Sequence, residues 1–575
     1  MARKEAWGHA TAFLVRFRRL GWFDFILLAG LVGAVFGVLS LAGEWRAFHP
    51  AVHIDLSPSA LPVYVFYSLS RGLIAYACSL LFTLAYGYWA AKDPMAQRVL
   101  VPLLDILQSI PVLGFMPGVV LALVAMFPRS NIGLELASIL MIFTGQAWNM
   151  TFSFYHSIRS VPHDQLEAAT VYRFTWWERL KWVELPFSTI GLVWNSMMSM
   201  AGGWFFLMIT ESFVLGSKDF RLPGIGSYMS VAVARGDVPA MIWAVVAMVL
   251  MIVVLDQLLW RPVVVWSQKF RVEEGADEVI SSSWFYDWLR HSQIIEWITE
   301  TLGNVFRRRT NRPVEPAPDE PQKPKPFANV VSLVLFSLLV AVLVYGGWKL
   351  VLLLRQVSRA DLLPILVAGM LTLGRVLVST AIGTLWTVPA GLAIGLSPKW
   401  SRVFQPVVQV AASFPAPMLF PLVIAMLKVA GVGLGWGSIV LMLLGTQWYI
   451  LFNVIAGATA IPADLREAAH SYRMARWLRF KSLYLPAVFP YLVTGWVTAA
   501  GGAWNASIVA EYMTFRHQVL TTNGLGAQIS IAAEHADFPA LAASVILMAT
   551  IGVLFNRTVW RRLYAIAEER FSLSK

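Results

Sequence analysis

Apolar stretches of roughly 18 residues or more, each long enough to cross about 30 Å of hydrocarbon as a helix, recur along this chain between short polar connectors. They run over 22–41, 63–91, 99–127, 133–157, 187–212 and 240–262, and again over 328–350, 364–396, 404–427, 434–457, 487–510 and 540–558. None alternates with a period of two. Backbone amides in lipid are satisfied only within a helix or a closed barrel, so the pattern predicts an all-α polytopic membrane protein with six spans in each half. The basic lead RFRRLGWFDF before the first span has the look of a secretory signal. No small-residue cleavage pattern follows Leu41, however, and the segment reads as an uncleaved span.

The long polar insertion divides the chain into a first half 1–266, a linker 267–327 and a second half 328–575. The linker's end, RRRTNRPVEPAPDEPQKPKP, is too rich in proline and charge to fold alone and reads as a tether. Upstream of it, Trp284, Trp288, His291, Ile295, Ile298, Leu302 and Val305 fall on one helical face, as in a helix lying on the inner leaflet. The alternative is a helix packed on a partner subunit. Composition agrees with the spans: 58% of residues are hydrophobic and 14% charged, against about 25% charged in soluble domains. The net charge is +12, yet most Lys and Arg fall on one side of the predicted spans, with both termini and the linker. That positive-inside bias puts those parts in the cytoplasm and leaves no basic patch for a nucleic acid. The single cysteine, Cys78, excludes an intrachain disulfide and a cysteine metal cluster, and neither a metal site nor a cofactor is expected.

The two halves repeat one another. EAATVYR, beginning at Glu167, returns as EAAHSYR at Glu467, 300 residues on. At the same offset Leu185-Pro186 meets Leu485-Pro486, Glu211 meets Glu511, and Gly224 and Gly226 meet Gly524 and Gly526. Upstream, at an offset of 304, Arg71 meets Arg375, Pro111 meets Pro415 and Pro117 meets Pro421. Register kept across separate elements is not a chance match. Parallel halves imply a pseudo-twofold axis along the membrane normal, with a pathway between them. A connector between spans needs only to be polar, so keeping Glu, two Ala and Tyr-Arg demands a surface that fits something. Ala168 and Ala169, like Ala468 and Ala469, admit the close approach of another backbone, and Glu167 suits the positive end of a helix dipole. Together they describe a docking helix.

These segments resemble the EAA loop of binding-protein-dependent ABC importers, in their type I permease subunits. The similarity is to the duplicated permease of the nitrate, sulfonate, taurine and bicarbonate group, and WNSMMSMAGGWFF and TGWVTAAGGAWN after each loop carry much of it. The resemblance implies two tandem six-helix type I permease bundles. It implies a coupling helix in each half that sits in a groove of an ATPase, with Glu167, Ala168, Ala169, Tyr172, Arg173, Leu185 and Pro186 as its residues in the first half. Glu467, Ala468, Ala469, Tyr472, Arg473, Leu485 and Pro486 would serve the second. It further implies two ABC ATPase subunits, an external soluble or lipid-anchored substrate-binding protein, a small anion as substrate, and a bacterial cytoplasmic (inner) membrane location. One position departs: the general pattern has Gly where this chain has Arg173 and Arg473, which leaves the local turn open. Such an arginine either reaches a carboxylate on the ATPase or positions the loop. The chain has no Gly-Lys dipeptide and hence no phosphate-cradling G-x-x-x-x-G-K-[ST] loop, so no catalytic residue is assigned and ATP hydrolysis is expected in a separate subunit.

QSIPVLGFMPG and ASFPAPMLFPL place a matching pair of prolines in the third span of each half, Pro111 with Pro117 and Pro415 with Pro421. Helices broken at matching places point to a pathway, the plainer alternative being a packing kink. Gln146 with Trp148 and Gln447 with Trp448 offer polar contacts from the fourth spans. Arg71 and Arg375, facing inward, would favour a passing anion; paired, their partners would be Glu211 and Glu511. The segments around Gly224 and Gly524 look like external turns that would meet a binding protein. The rival reading is a secondary active transporter with parallel six-span repeats, which would have no need of paired docking loops.

Overall fold

The computed structural model describes residues 53–109, 111–215, 218–270, 283–290, 326–515 and 518–571. The predicted first span, and the linker positions from His291 to Val305, lie outside them. The other unbroken spans are helices: Leu61–Lys92, Ile132–Arg159, Leu185–Thr210 and Val238–Leu255 in the first half, then Pro326–Leu354, Arg359–Gly395, Leu434–Thr459, Leu485–Ala510 and Phe538–Phe555. Among the described residues, seven helical runs are long and apolar enough to cross a membrane. Ile242, Val246, Leu250 and Val254 are exposed at every fourth residue of Val238–Leu255, an apolar face suited to lipid and to nothing polar.

Both third spans are broken. The first is Pro94–Ser109 followed by Val112–Met126, and the second is Pro398–Ser413 followed by a short 3-10 turn, Ala416–Met418, and Phe420–Val429. Pro111 and Pro415 lie in the breaks in extended conformation, with ψ of 123° and 109°. Lacking an amide hydrogen and disfavouring helix in the residue before, proline ends one helix and can begin the next.

The repeat extends into features too short to carry a sequence signal of their own. Ser212–Leu215 pairs antiparallel with Lys218–Arg221, and Tyr512–Phe515 with Gln518–Thr521, each 300 residues apart. Four five-residue π-helical segments also match in pairs: Leu180–Glu184 with Phe480–Tyr484, and Asp256–Trp260 with Asn556–Trp560.

The described residues divide into two compact units, one of 156–195 with 253–270, 283–290 and 326–330, the other of those in 53–155, 196–252 and 331–571. In the smaller, helix Trp284–Arg290 is tied to the π segment Asp256–Trp260 by the Trp284 indole N–H, which donates to Gln257 Oε1 (3.3 Å). In the larger, helix Leu434–Thr459 packs between Arg359–Gly395 and Leu485–Ala510 around buried Val388, Leu392, Ile450, Val454, Val488 and Leu492. Lipid tails are as apolar as leucine, so such packing rests on close approach rather than on expelling water. Gly391 and Gly395 supply it: a Cβ at 391 would stand 2.6 Å from Val454 Cγ1, and one at 395 would stand 2.8 Å from the Ile455 carbonyl.

Candidate functional site

Each repeated loop forms a nine-residue helix, His163–Val171 and Ala463–Ser471, and each ends in the same way. Tyr172 N–H donates to Ala168 O (2.9 Å), Arg173 N–H to Thr170 O (3.0 Å) and Phe174 N–H to Ala169 O (2.9 Å). In the second loop Tyr472 donates to Ala468 O (2.9 Å), Arg473 to His470 O (2.9 Å) and Met474 to Ala469 O (3.1 Å). The closing residue is left-handed in both, with φ of 54° at Arg173 and 48° at Arg473. Glycine usually takes that helix-ending position. Arginine takes it here with the turn intact, at a cost of about 1 kcal/mol. Ala169 and Ala469 are buried under the turn, while Tyr172 and Tyr472 are 74% and 83% exposed.

Beyond the turn the chain runs through a short helix and a π segment into the long helices that begin at Leu185 and Leu485. Pro186 and Pro486 lie within continuous helical runs, Trp176–Thr210 and Arg476–Ala510, directly after the π segments, so each missing amide falls where the helix is already widened. In the smaller unit, Ala168, Ala169, Tyr172, Phe174, Trp182 and Pro186 line a groove of about 380 Å³. Glu167 is exposed beside the helix, its Oε1 3.0 Å from His163 Nδ1.

At the hairpin end of the larger unit, Arg71 and Arg375 pair with the carboxylates. Arg71 Nε and Nη2 donate to Glu135 (2.5 and 2.7 Å), and Nη1 donates to Glu211 Oε1 and to Pro223 O (both 2.8 Å). Ser68 Oγ (2.6 Å) and Gly226 N–H (2.7 Å) complete the donors to Glu211. In the second half Arg375 Nη1 donates to Glu511 Oε1 (2.7 Å) and Nη2 to Thr522 Oγ1 (3.1 Å), while Thr372 Oγ1 (2.9 Å) and Gly526 N–H (2.8 Å) donate to Glu511. Gly224 and Gly524 serve these carboxylates from within, because a Cβ at either would collide with Glu211 or Glu511. At the second hairpin the Tyr512 hydroxyl donates to Glu534, and burial together with that carboxylate pushes the Tyr512 hydroxyl pKa up.

The networks differ by one charge. Glu135 has no acidic counterpart: Gly435 lies 300 residues on, and a Cβ there would be 3.5 Å from Thr522 Oγ1. Sequence reading missed Glu135 because nothing repeats it. Ser68 and Thr372, by contrast, keep the 304-residue offset and could have been found by it.

A cavity of about 220 Å³ lies within the larger unit, lined by Val112, Trp148, Asn149 and Ser199 from the first half and by Pro415, Thr446, Tyr449 and Asn505 from the second. Among the described residues, no charged side chain lines it. Both breaks reach it: Val112 follows Pro111, and Pro415 lines it directly. Asn505 joins the halves there, its Oδ1 accepting from Val112 N–H (2.9 Å), the first amide after the break. The matching residue is Phe205, so repeat logic does not find this contact. Pro117 and Pro421 are buried in the helices that follow the breaks. Gln146 lies behind the lining, accepting from Ser79 Oγ (3.4 Å), and Gln447 accepts from Trp386 Nε1 (3.1 Å). Trp448 packs edge-on against Trp386, centroids 6.2 Å apart. Arg71, Arg375, Glu211 and Glu511 do not line the cavity.

Two tandem copies of one helical plan, each with an interrupted span and the same exposed loop, define a polytopic transport permease. The chain belongs to the family of binding-protein-dependent transport system inner membrane components, whose profile matches it twice, over residues 83–259 and 383–572. It is 26% identical over 188 residues to the nitrate import permease protein NrtB of Leptolyngbya laminosa, covering 33% of this chain and 64% of that one. It is 26% identical over 196 residues to the taurine transport system permease protein TauC of Escherichia coli (33% and 67%), and 25% identical over 191 residues to the bicarbonate transport system permease protein CmpB of Synechocystis (33% and 64%). Each alignment spans about two thirds of the relative's length.

Proposed function

We propose that this chain is the fused permease of an ATP-driven importer for a small anion, its halves 1–266 and 328–575 tethered by 267–327. Glu167 to Pro186 and Glu467 to Pro486 are taken as cytoplasmic docking loops, each gripped by an ATPase subunit that performs the hydrolysis. The termini lie on the same side, in the bacterial inner membrane, and an external binding protein delivers the anion at the hairpin end. The cavity bounded by the two broken helices is the pathway, opened and closed by rocking of the halves. One observation carries the reading: two loops 300 residues apart keep an exposed tyrosine and a strained left-handed arginine at the same place. Strain held twice over is a sign of use. The named cargoes of the relatives, nitrate, taurine and bicarbonate, support a small oxyanion.

The test is the double variant Glu167→Lys with Glu467→Lys. It should reach the membrane folded and lose its ATPase subunits on purification. Unchanged co-purification would refute the docking role.

A further inference from the structure

The two docking loops present different chemistry. Positions 163–186 hold four acidic and three basic residues, positions 463–486 two acidic and five basic, so the net charges are −1 and +3. The first loop is aromatic, with Trp176, Trp177 and Trp182 exposed by 65%, 55% and 63%. At the matching places the second has Arg476, Trp477 and Ser482. Internal pairing differs in the same sense. Arg179 Nε donates to fully buried Glu184 (2.8 Å), whereas Tyr484 stands where the second loop would need that carboxylate. The buried Nε of Arg479 has no hydrogen-bond partner, and neither has that of Arg466, which replaces Leu166.

Both side chains are only half-buried, and an arginine whose own fold supplies no partner turns the outer nitrogens of its planar donor fork to a carboxylate from outside. We propose that the second loop docks by charge, on a carboxylate-bearing face of its ATPase subunit, while the first docks by aromatic contact. The inference rests on the docking reading above and deepens it by assigning the chemistry of each partner face. A surface shaped for the first loop does not satisfy the second. The two ATPase contacts are therefore unequal in strength and in their response to salt.

The experiment uses the full chain purified with its ATPase subunits. Raising salt from about 0.1 M to about 1 M shortens the screening length from about 10 Å to about 3 Å. The second contact should weaken about tenfold while the first holds, so that one ATPase leaves before the other. Arg466→Leu with Arg476→Trp places first-loop residues at second-loop positions; it should weaken the second contact about tenfold in low salt and remove the salt step. Joint release of both ATPases at every salt would overturn the proposal. So would a double variant that keeps the wild-type ATPase content and salt response but sheds bound anionic phospholipid, which would make the loop a lipid contact. If the wild-type chain retains no ATPase at any salt, the docking reading itself fails, and this inference with it.

Discussion

The same substitution placed in the two halves should have unequal effects. Arg71 is fully buried and touches two carboxylates, Glu135 through two short hydrogen bonds and Glu211 through one. In Glu211→Gln the arginine keeps its bidentate partner and the cluster sheds a surplus negative charge; apart from the Gly226 amide bond, whose counterpart at Gly526 is lost equally in the second half, the loss is one charge-assisted hydrogen bond partly offset by relief, about 1 kcal/mol. Arg375 has one carboxylate among the described residues, Glu511, and its side chain is 12% exposed. Glu511→Gln leaves that guanidinium nearly buried and unneutralised. Breaking such a pair from one side costs about 3–5 kcal/mol, and the residual exposure argues for about 3. The gap of about 2 kcal/mol is a factor of about 30 in the folded-to-unfolded ratio. Thermal melts of the purified full-length variants in one detergent read it directly, with Glu511→Gln melting below Glu211→Gln. Adding Gly435→Glu to Glu511→Gln should restore part of the loss, since position 435 stands beside Thr522 and has room for a Cβ. Equal melting temperatures, or the reverse order, would refute the claim that the second carboxylate decides the difference.

Two smaller effects follow from backbone geometry. Ala536 is left-handed (φ 54°) where the first half has Gly236 (φ 69°), and both helices close with the same amide pattern, Asp537 N–H to Ala532 O and Asp237 N–H to Ala232 O. Ala536→Gly should raise stability by about 0.5 kcal/mol, the relief of strain less the added freedom of the unfolded chain, and Gly236→Ala should lower it by about 1 kcal/mol; both are read from melting curves. Asn505→Leu removes the acceptor of the Val112 amide at the break and should cost about 1–2 kcal/mol, with a fall in uptake rate; unchanged stability would mean that water replaces the side chain.

What the sequence revealed follows from how each feature is written. The spans announce themselves because lipid imposes length and apolarity on every residue of a helix, and the interruptions at Pro111 and Pro415 because proline lacks an amide. The loop helices were legible because they occur twice. The left-handed turns at Arg173 and Arg473 were not, since arginine gives no hint of positive φ and the glycine that would have signalled it is missing. Glu135 and Asn505 were invisible for the opposite reason: each acts in one half only, and a reading built on repetition passes over them. The glycines at 224 and 524 were noticed but not the carboxylates they make room for, because a lone Gly-x-Gly does not tell whether space is needed for a neighbour outside or for a carboxylate within.

The four π segments carry a consequence for how the helices can be altered. Each holds one residue more than a regular turn, and those at Leu180–Glu184 and Phe480–Tyr484 lie between a loop helix and the long helix it adjoins. Deleting a single residue there would return the backbone to ordinary α pitch with the helix beyond it kept in phase, whereas drawing the extra residue into α pitch would swing everything beyond it by about 100° around the helix axis. The linkage thus has an inbuilt unit of rotation, by which its grip could be re-aimed without touching a single membrane-facing side chain.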